Sequence, residues 1–232
     1  MKKVFLALLI CVSGFAADTL PLLAIEPDEQ ILLKLAEVFK GKNPEYYERK
    51  IKRVGDNTIQ FDGYISIDAD RKIAPKILSD ISKYNDWALT NINKAPGSTR
   101  NYILKIFQFI WDPTEPKMLR PEFMIDLPGF RKVSSRKFNT TIQQSGDIFT
   151  LMGEAPDDPT SYIERAVCLL KMFPTPNVSD RVWLYLSARV KLRYWLLYEA
   201  LPTKLLEKES MERIQVVLDN YSTQEEKLKK SK

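Results

Sequence analysis

Residues 181–193 read Arg-Val-Trp-Leu-Tyr-Leu-Ser-Ala-Arg-Val-Lys-Leu-Arg, and their parity decides the fold. Even positions are Val182, Leu184, Leu186, Ala188, Val190 and Leu192; odd positions are Trp183, Tyr185, Ser187, Arg189, Lys191 and Arg193. A period of two with one apolar face is the mark of a half-buried antiparallel strand. The tract is long for a strand, so it is expected to curve across a sheet. Beyond Pro202, a residue suited to a first helical turn, the period changes. Leu205, Leu206, Ser210, Ile214, Val217, Leu218 and Tyr221 fall at steps of three and four, one stripe of a long helix. A sheet with one apolar face and a helix with one apolar stripe should bury each against the other.

Working outward, Ile59, Phe61, Gly63, Ile65 and Ile67 alternate with polar residues as a strand. Asp70 is positioned to cap a helix with the stripe Ile73, Ile77, Leu78 and Ile81, running on to Tyr84 and Trp87. Pro75 points to two short helices or one irregular start. Asn91 to Ser98 reads as a loop. Tyr102 to Trp111 is apolar on both parities, so its inner face is left open. Glu122 to Leu127 reads as a strand turned by Pro128-Gly129. Arg131 to Gln143 and Asp147 to Met152 flank Ser145-Gly146 as a hairpin. Tyr162 to Phe173 is a further long strand. Ahead of these, Asp28 to Phe39 reads as a helix outside the main domain, with Gly41 as its stop. The charged residues 44 to 55, with Tyr46 and Tyr47 among them, read as a solvated helix or linker.

The order is strand, one or two short helices, five or six antiparallel strands, then a long helix. With it, Ile65-Ser66-Ile67-Asp68-Ala69-Asp70, Ile77-Leu78-Ser79-Asp80-Ile81, Tyr84-Asn85-Asp86-Trp87 and the opening Ala200-Leu201-Pro202 resemble the helix-grip superfamily of START and polyketide-cyclase-like proteins. The resemblance covers roughly residues 58 to 221. It implies an α+β helix-grip fold, a curved antiparallel sheet wrapped around a long C-terminal helix with two short helices after the first strand. It further implies an apolar cavity between sheet and helix that takes up a lipid-like ligand. On that reading the cavity residues are Trp87, Phe107, Phe109, Phe138, Met152, Leu184, Leu186, Leu206, Ile214 and Val217. For the aromatics packing is the default role, and a core filled by bulky side chains is the alternative to an open cavity.

Composition bounds the chemistry. No histidine is present, which removes histidine-based nucleophile pairs, most zinc sites and the commonest general base. With 8 glycines there is no glycine-rich phosphate loop. Asp157-Asp158 ahead of Pro159 reads as a turn before it reads as a calcium site. No catalytic residue, metal or cofactor is expected, although a cyclase or hydrolase acting on an apolar substrate, or an interaction module with a filled core, are the alternatives to a binder. Lys2 and Lys3, the apolar run Val4 to Val12 and Gly14-Phe15-Ala16 read as an export signal over residues 1–16, too short to span a bilayer. Its removal takes the net charge from +5 to +3, with 33 basic against 30 acidic residues, which does not point to nucleic acid. It also leaves Cys168 as the only cysteine, a composition ordinary for a bacterial envelope protein. The expected organisation is therefore a signal (1–16), a helical extension (17–55), a helix-grip domain (56–222) and a flexible tail (223–232). The expected setting is the periplasm or the exterior, with a hydrophobic small molecule or lipid as partner and room for transient membrane contact.

Overall fold

The structure, a computed structural model, describes residues 26–93, 102–155, 159 and 161–231. The expected export signal, Cys11 and Asp157-Asp158 lie outside the described residues. Helix α1 is Asp28–Phe39. Strands β1 (Tyr46–Gly55) and β2 (Thr58–Asp68) follow, then α2 (Ala74–Ser79), a 3-10 turn over Ile81–Lys83 and α3 (Tyr84–Trp87). Next come β3 (Leu104–Trp111), β4 (Met118–Leu127), β5 (Phe130–Ser135), β6 (Phe138–Ser145), β7 (Ile148–Ala155), β8 (Ile163–Pro174) and β9 (Arg181–Leu192). Helices α4 (Trp195–Ala200) and α5 (Thr203–Lys230) end the chain.

The nine strands form one antiparallel sheet in the order β1-β2-β9-β8-β7-β6-β4-β3, with β5 hydrogen-bonded to β4. The even residues of β9, from Val182 to Leu192, are all buried in the inner core. That core also holds Leu206, Ile214, Val217, Leu218 and Tyr221 of α5. The curled sheet closes over the terminal helix, which is the helix-grip architecture. The odd face of β9 is only partly solvated. Tyr185 is buried and Trp183 half-buried in a second cluster with Leu169 and Phe173 of β8, covered by Ile31, Leu35 and Phe39 of α1. Lys171 and Asp28 pair beside it, so α1 packs on the outside of the sheet.

Three segments differ from the sequence reading. Residues 46–55 are a strand, not a solvated helix or linker. Asp56 and Asn57 both take positive φ, 44° and 53°, as a two-residue hairpin turn of the favoured hand requires, and join β1 to β2. The tract from Arg131 to Gln143 is split into β5 and β6. Leu119 of β4 pairs with β6 whereas Glu122 onward pairs with β5. Pro121, which has no N–H to give a ladder, sits at that changeover, and its carbonyl accepts from the Arg136 amide at 3.2 Å. Residues 223–230, expected as a flexible tail, continue α5. The Glu225 carboxylate accepts from the Asp70 amide at 2.9 Å and pairs with Lys229 at 2.6 Å, and Leu228 packs on the core.

The sealed contact between α5 and the sheet makes a stability prediction. Ile214, with no exposed surface, is expected to cost roughly 2–5 kcal/mol on truncation to alanine. Leu33→Ala, at a side chain 72% exposed, should change stability by less than about 0.5 kcal/mol. Urea unfolding of the two variants checks the difference.

Candidate functional site

The strand order ends at β1 and β3, and α5 is fastened to both. On the β1 side Tyr47 donates to Gln215 Oε1 at 3.0 Å. Arg53 donates to the Glu199 carboxylate at 3.0 Å, and to the carbonyls of Glu199 and Leu201 at 2.7 and 3.1 Å. Its guanidinium also lies 5.1 Å from the Tyr198 ring centroid. On the β3 side both oxygens of Glu209 accept from the Ile103 amide, at 3.2 and 3.0 Å. Arg213, one helical turn on, donates to the Leu104 carbonyl and stacks 4.2 Å from the Tyr102 ring centroid. Further along β3, the side-chain amide of Asn85 exchanges two hydrogen bonds with the backbone of Phe109, and that of Asn93 does the same with Ile106. Asparagine amides thus take the place of a neighbouring strand along this edge.

Glu209 and Arg213 are fully buried. Burial pulls the Arg213 pKa down to about 10, and the nearby Glu209 carboxylate opposes that fall. Burial pushes the Tyr102 hydroxyl up to about 12. Arg213 Nε and Nη1 are sealed from solvent without an acceptor among the described residues, a costly arrangement for a cation. Neither residue figured among the expected site residues. The signal was present, since Glu209 and Arg213 stand three and seven positions after Leu206 and so share its buried stripe.

Where the helix meets the sheet near its N-terminal end, an apolar chamber of about 40 Å³ remains. Ile59 and Phe61 of β2, Val190 and Leu192 of β9 and Ile163 of β8 border it on the sheet side. Ile103, Leu104 and Ile125 close it towards β3 and β4, and Leu201 and Leu206 form its helical wall. A larger cleft of about 430 Å³ lies among Asp68, Asp70, Asp180, Glu225, Glu226 and Lys229. It is polar, and several of its carboxylates already have partners. Asp68 pairs with Arg181, Asp70 accepts the amides of Lys72 and Ile73, and Glu225 holds Lys229.

The residues assigned to a cavity from sequence separate into three groups. Trp87, Phe109, Phe138, Leu184, Leu186, Leu206, Ile214 and Val217 all enter the inner core, but of these only Leu206 borders the chamber. Phe107 does not face inward and is 46% exposed. The pairing of β3 with β4 steps from Ile106–Phe123 to Gln108–Glu122, so Phe107 is the extra residue of a bulge. That bulge lets Ile106 and Phe109, of opposite parity, both point into the core. Met152 is also turned away. Phe149 and Leu151 are buried in the inner core, so Met152 takes the outer face and packs in the cluster under α1. Cys168 is a buried thiol in that same inner core. Among the described residues no three histidine, cysteine or acidic side chains gather as a metal site.

Breaking the seam on β3 tests its energetics. Arg213→Met leaves Glu209 buried without its cation and is expected to cost roughly 3–5 kcal/mol. Adding Glu209→Leu to that variant should recover part of the loss. A double-mutant cycle by urea unfolding reads the coupling, and strict additivity would show that the two side chains act independently.

No protein-family model and no curated protein sequence matches the chain. Solved structures do resemble it in arrangement. A STAR-related lipid transfer protein from Xanthomonas axonopodis overlays with a TM-score of 0.45 at 14% identity, covering 76% of this chain and 94% of that one. Human STARD10 gives 0.42 at 11% identity, with 88% and 84% covered. The Zhui aromatase/cyclase from Streptomyces sp. R1128 gives 0.41 at 11% identity, with 69% and 92% covered. Identity and overlap at this level describe a general arrangement of the chain. The helix grip is carried here by the strand order and the enclosed helix.

Proposed function

We propose that this protein binds an apolar, lipid-class ligand between its sheet and terminal helix, and that it does so after export, carrying the ligand through an aqueous compartment. The observation that carries the reading is the chamber at the α4–α5 corner, whose ten bordering side chains are all apolar. Ligand pockets are mostly apolar, with few polar groups, and this one lies beside the break between α4 and α5. Leu201 is extended and Pro202 has no N–H, so the corner between α4 and α5 is a joint between two helices. The sequence reading of residues 1–16 as an export signal supports the compartment.

At about 40 Å³ the chamber is smaller than the ~150 Å³ that lets an engineered apolar cavity take up benzene. Uptake of an acyl chain therefore requires the Leu201–Leu206 wall to swing outward. Arg53, holding the Leu201 carbonyl and Glu199, is the latch on that wall. The same small volume favours a second reading, an interaction module with a filled core. A cyclase- or hydrolase-type activity calls for an ionisable group on the chamber wall. Glu209 and Arg213, the first buried ionisable groups of α5 after Leu206, are turned to the backbone of Ile103 and Leu104.

Uptake of a fluorescent fatty acid by the purified chain, with native mass spectrometry for co-purifying lipid, separates the readings. Leu206→Trp, which fills the chamber, is expected to reduce uptake by about tenfold or more, since its bulk takes the space that a ligand would enter. Arg53→Ala is expected to speed uptake by loosening the corner. A clean apo mass together with no uptake by the parent chain leaves the filled-core reading standing.

A further inference from the structure

Three consecutive large side chains at the start of α4 face solvent. Tyr194 is 54% exposed, Trp195 60% and Leu196 73%. Single exposed apolar residues are ordinary, but a contiguous aromatic-aromatic-leucine tip is not. It is not a loose end either. The Arg193 amide donates to the Tyr162 carbonyl at 2.9 Å, and Arg193 Nε to the Ser161 carbonyl at 2.9 Å. Leu197 and Tyr198, the next two residues, are buried in the core and fix the other side of the turn. Four apolar residues in a row on one short helix cannot all face inward. The fold buries two and holds the other two out with Tyr194 beside them.

We propose that this tip docks into the surface of an anionic phospholipid bilayer. Tyrosine and tryptophan settle at the boundary between headgroups and acyl chains, and leucine adds apolar area below it. Cations stand beside the tip's anchor and on either side of the tip in the chain. Lys132 is exposed and lies 5.4 Å from the ring centroid of Tyr162, the residue that anchors Arg193. Arg193 itself adjoins the tip in the chain, and Lys204 is exposed in the first turn of α5. The acidic residue of α4, Glu199, is engaged by Arg53. Cations around an apolar tip match a negatively charged lipid surface. The proposal deepens the ligand-binding reading and rests on it for its purpose. Leu192 and Leu201, which flank the tip in sequence, both border the chamber. Docking would therefore set the movable wall against the membrane, where an apolar ligand can pass without crossing water.

The test uses the full chain with two kinds of vesicle, phosphatidylcholine alone and phosphatidylcholine mixed with phosphatidylglycerol, each also prepared with brominated acyl chains. Brominated lipid is expected to quench the emission of the parent chain, and Trp195→Phe, compared at equal amounts of vesicle-bound protein, should lose most of that quenching. Because this reads the position of Trp195, it is independent of any contact made by the N-terminal segment. Trp195→Asp with Leu196→Asp should weaken binding to the anionic vesicles by roughly tenfold or more, and circular dichroism should show an unchanged fold, since both side chains are exposed. Preference for the phosphatidylglycerol vesicles, lost at high salt, is the further expected result. Sedimentation without Trp195-dependent quenching overturns the proposal. So does an aspartate variant that binds as well as the parent, or a concentration-dependent dimer that the variant abolishes. Fatty-acid uptake in solution is scored separately. Uptake without vesicle docking sinks this proposal alone, and docking without uptake sinks the ligand reading and leaves the tip a membrane anchor.

Discussion

The strand order of the curved sheet ends at β1 and β3, and the attachment of one helix to both strands governs the rest of this molecule. Edge strands present backbone N–H and C=O groups that water or another chain would otherwise claim. Here α5 lies across the concave face with Leu206, Ile214, Val217 and Leu218 against the sheet. Its polar side chains reach sideways, Gln215 to Tyr47 on β1 and Glu209 with Arg213 to the first residues of β3. The polar contacts fix where along its length the helix sits. A slide of one turn would carry Glu209 away from the Ile103 amide and bring Leu205 or Arg213, neither an acceptor, opposite it. Apolar burial supplies the driving force, and the edge contacts choose one register from several that would bury similar area.

The two faces of the sheet solve different problems. The concave face is closed by α5, and the small apolar chamber beside Leu201 and Leu206 lies between the two. The convex face carries Trp183, Tyr185, Leu169 and Phe173, too much aromatic surface to leave in water, and α1 covers it with Ile31, Leu35 and Phe39. The two ends differ as well. At the far end of α5 the neighbours are carboxylates held by lysine, arginine and backbone amides. At the near end the neighbours are the apolar chamber and the exposed Tyr194-Trp195-Leu196 tip. This polarity along the helix axis separates an acidic end of the protein from an apolar one.

Much of the architecture was legible before any coordinates. The parity of Val182 to Leu192, the alternation from Ile59 to Ile67 and the three-four spacing after Pro202 each name an element by its period, because a buried face repeats with the geometry of its backbone. The strand β1 was harder to see. Half of its ten residues are charged, as suits an edge, and only the turn Asp56-Asn57 marked it as half of a hairpin. The candidate site was less legible than the fold. Phe107 and Met152 are as apolar as their neighbours, yet one is displaced by a bulge and the other lies on the outer parity of β7. Glu209 and Arg213 ran the other way, as charged residues whose burial makes sense only beside the backbone of β3, more than a hundred residues away.

The sequence by itself determined the elements, the apolar face of each long strand and the stripe of the last helix, since these follow from periods that are local in the chain. It also determined what chemistry is absent, because a chain without histidine cannot supply imidazole. The tertiary structure decided how much space stays open between sheet and helix, which edge each polar side chain fastens, and which apolar residues are left outside. Those outcomes depend on summed side-chain volumes and on distances between segments far apart in sequence, and no local pattern encodes either.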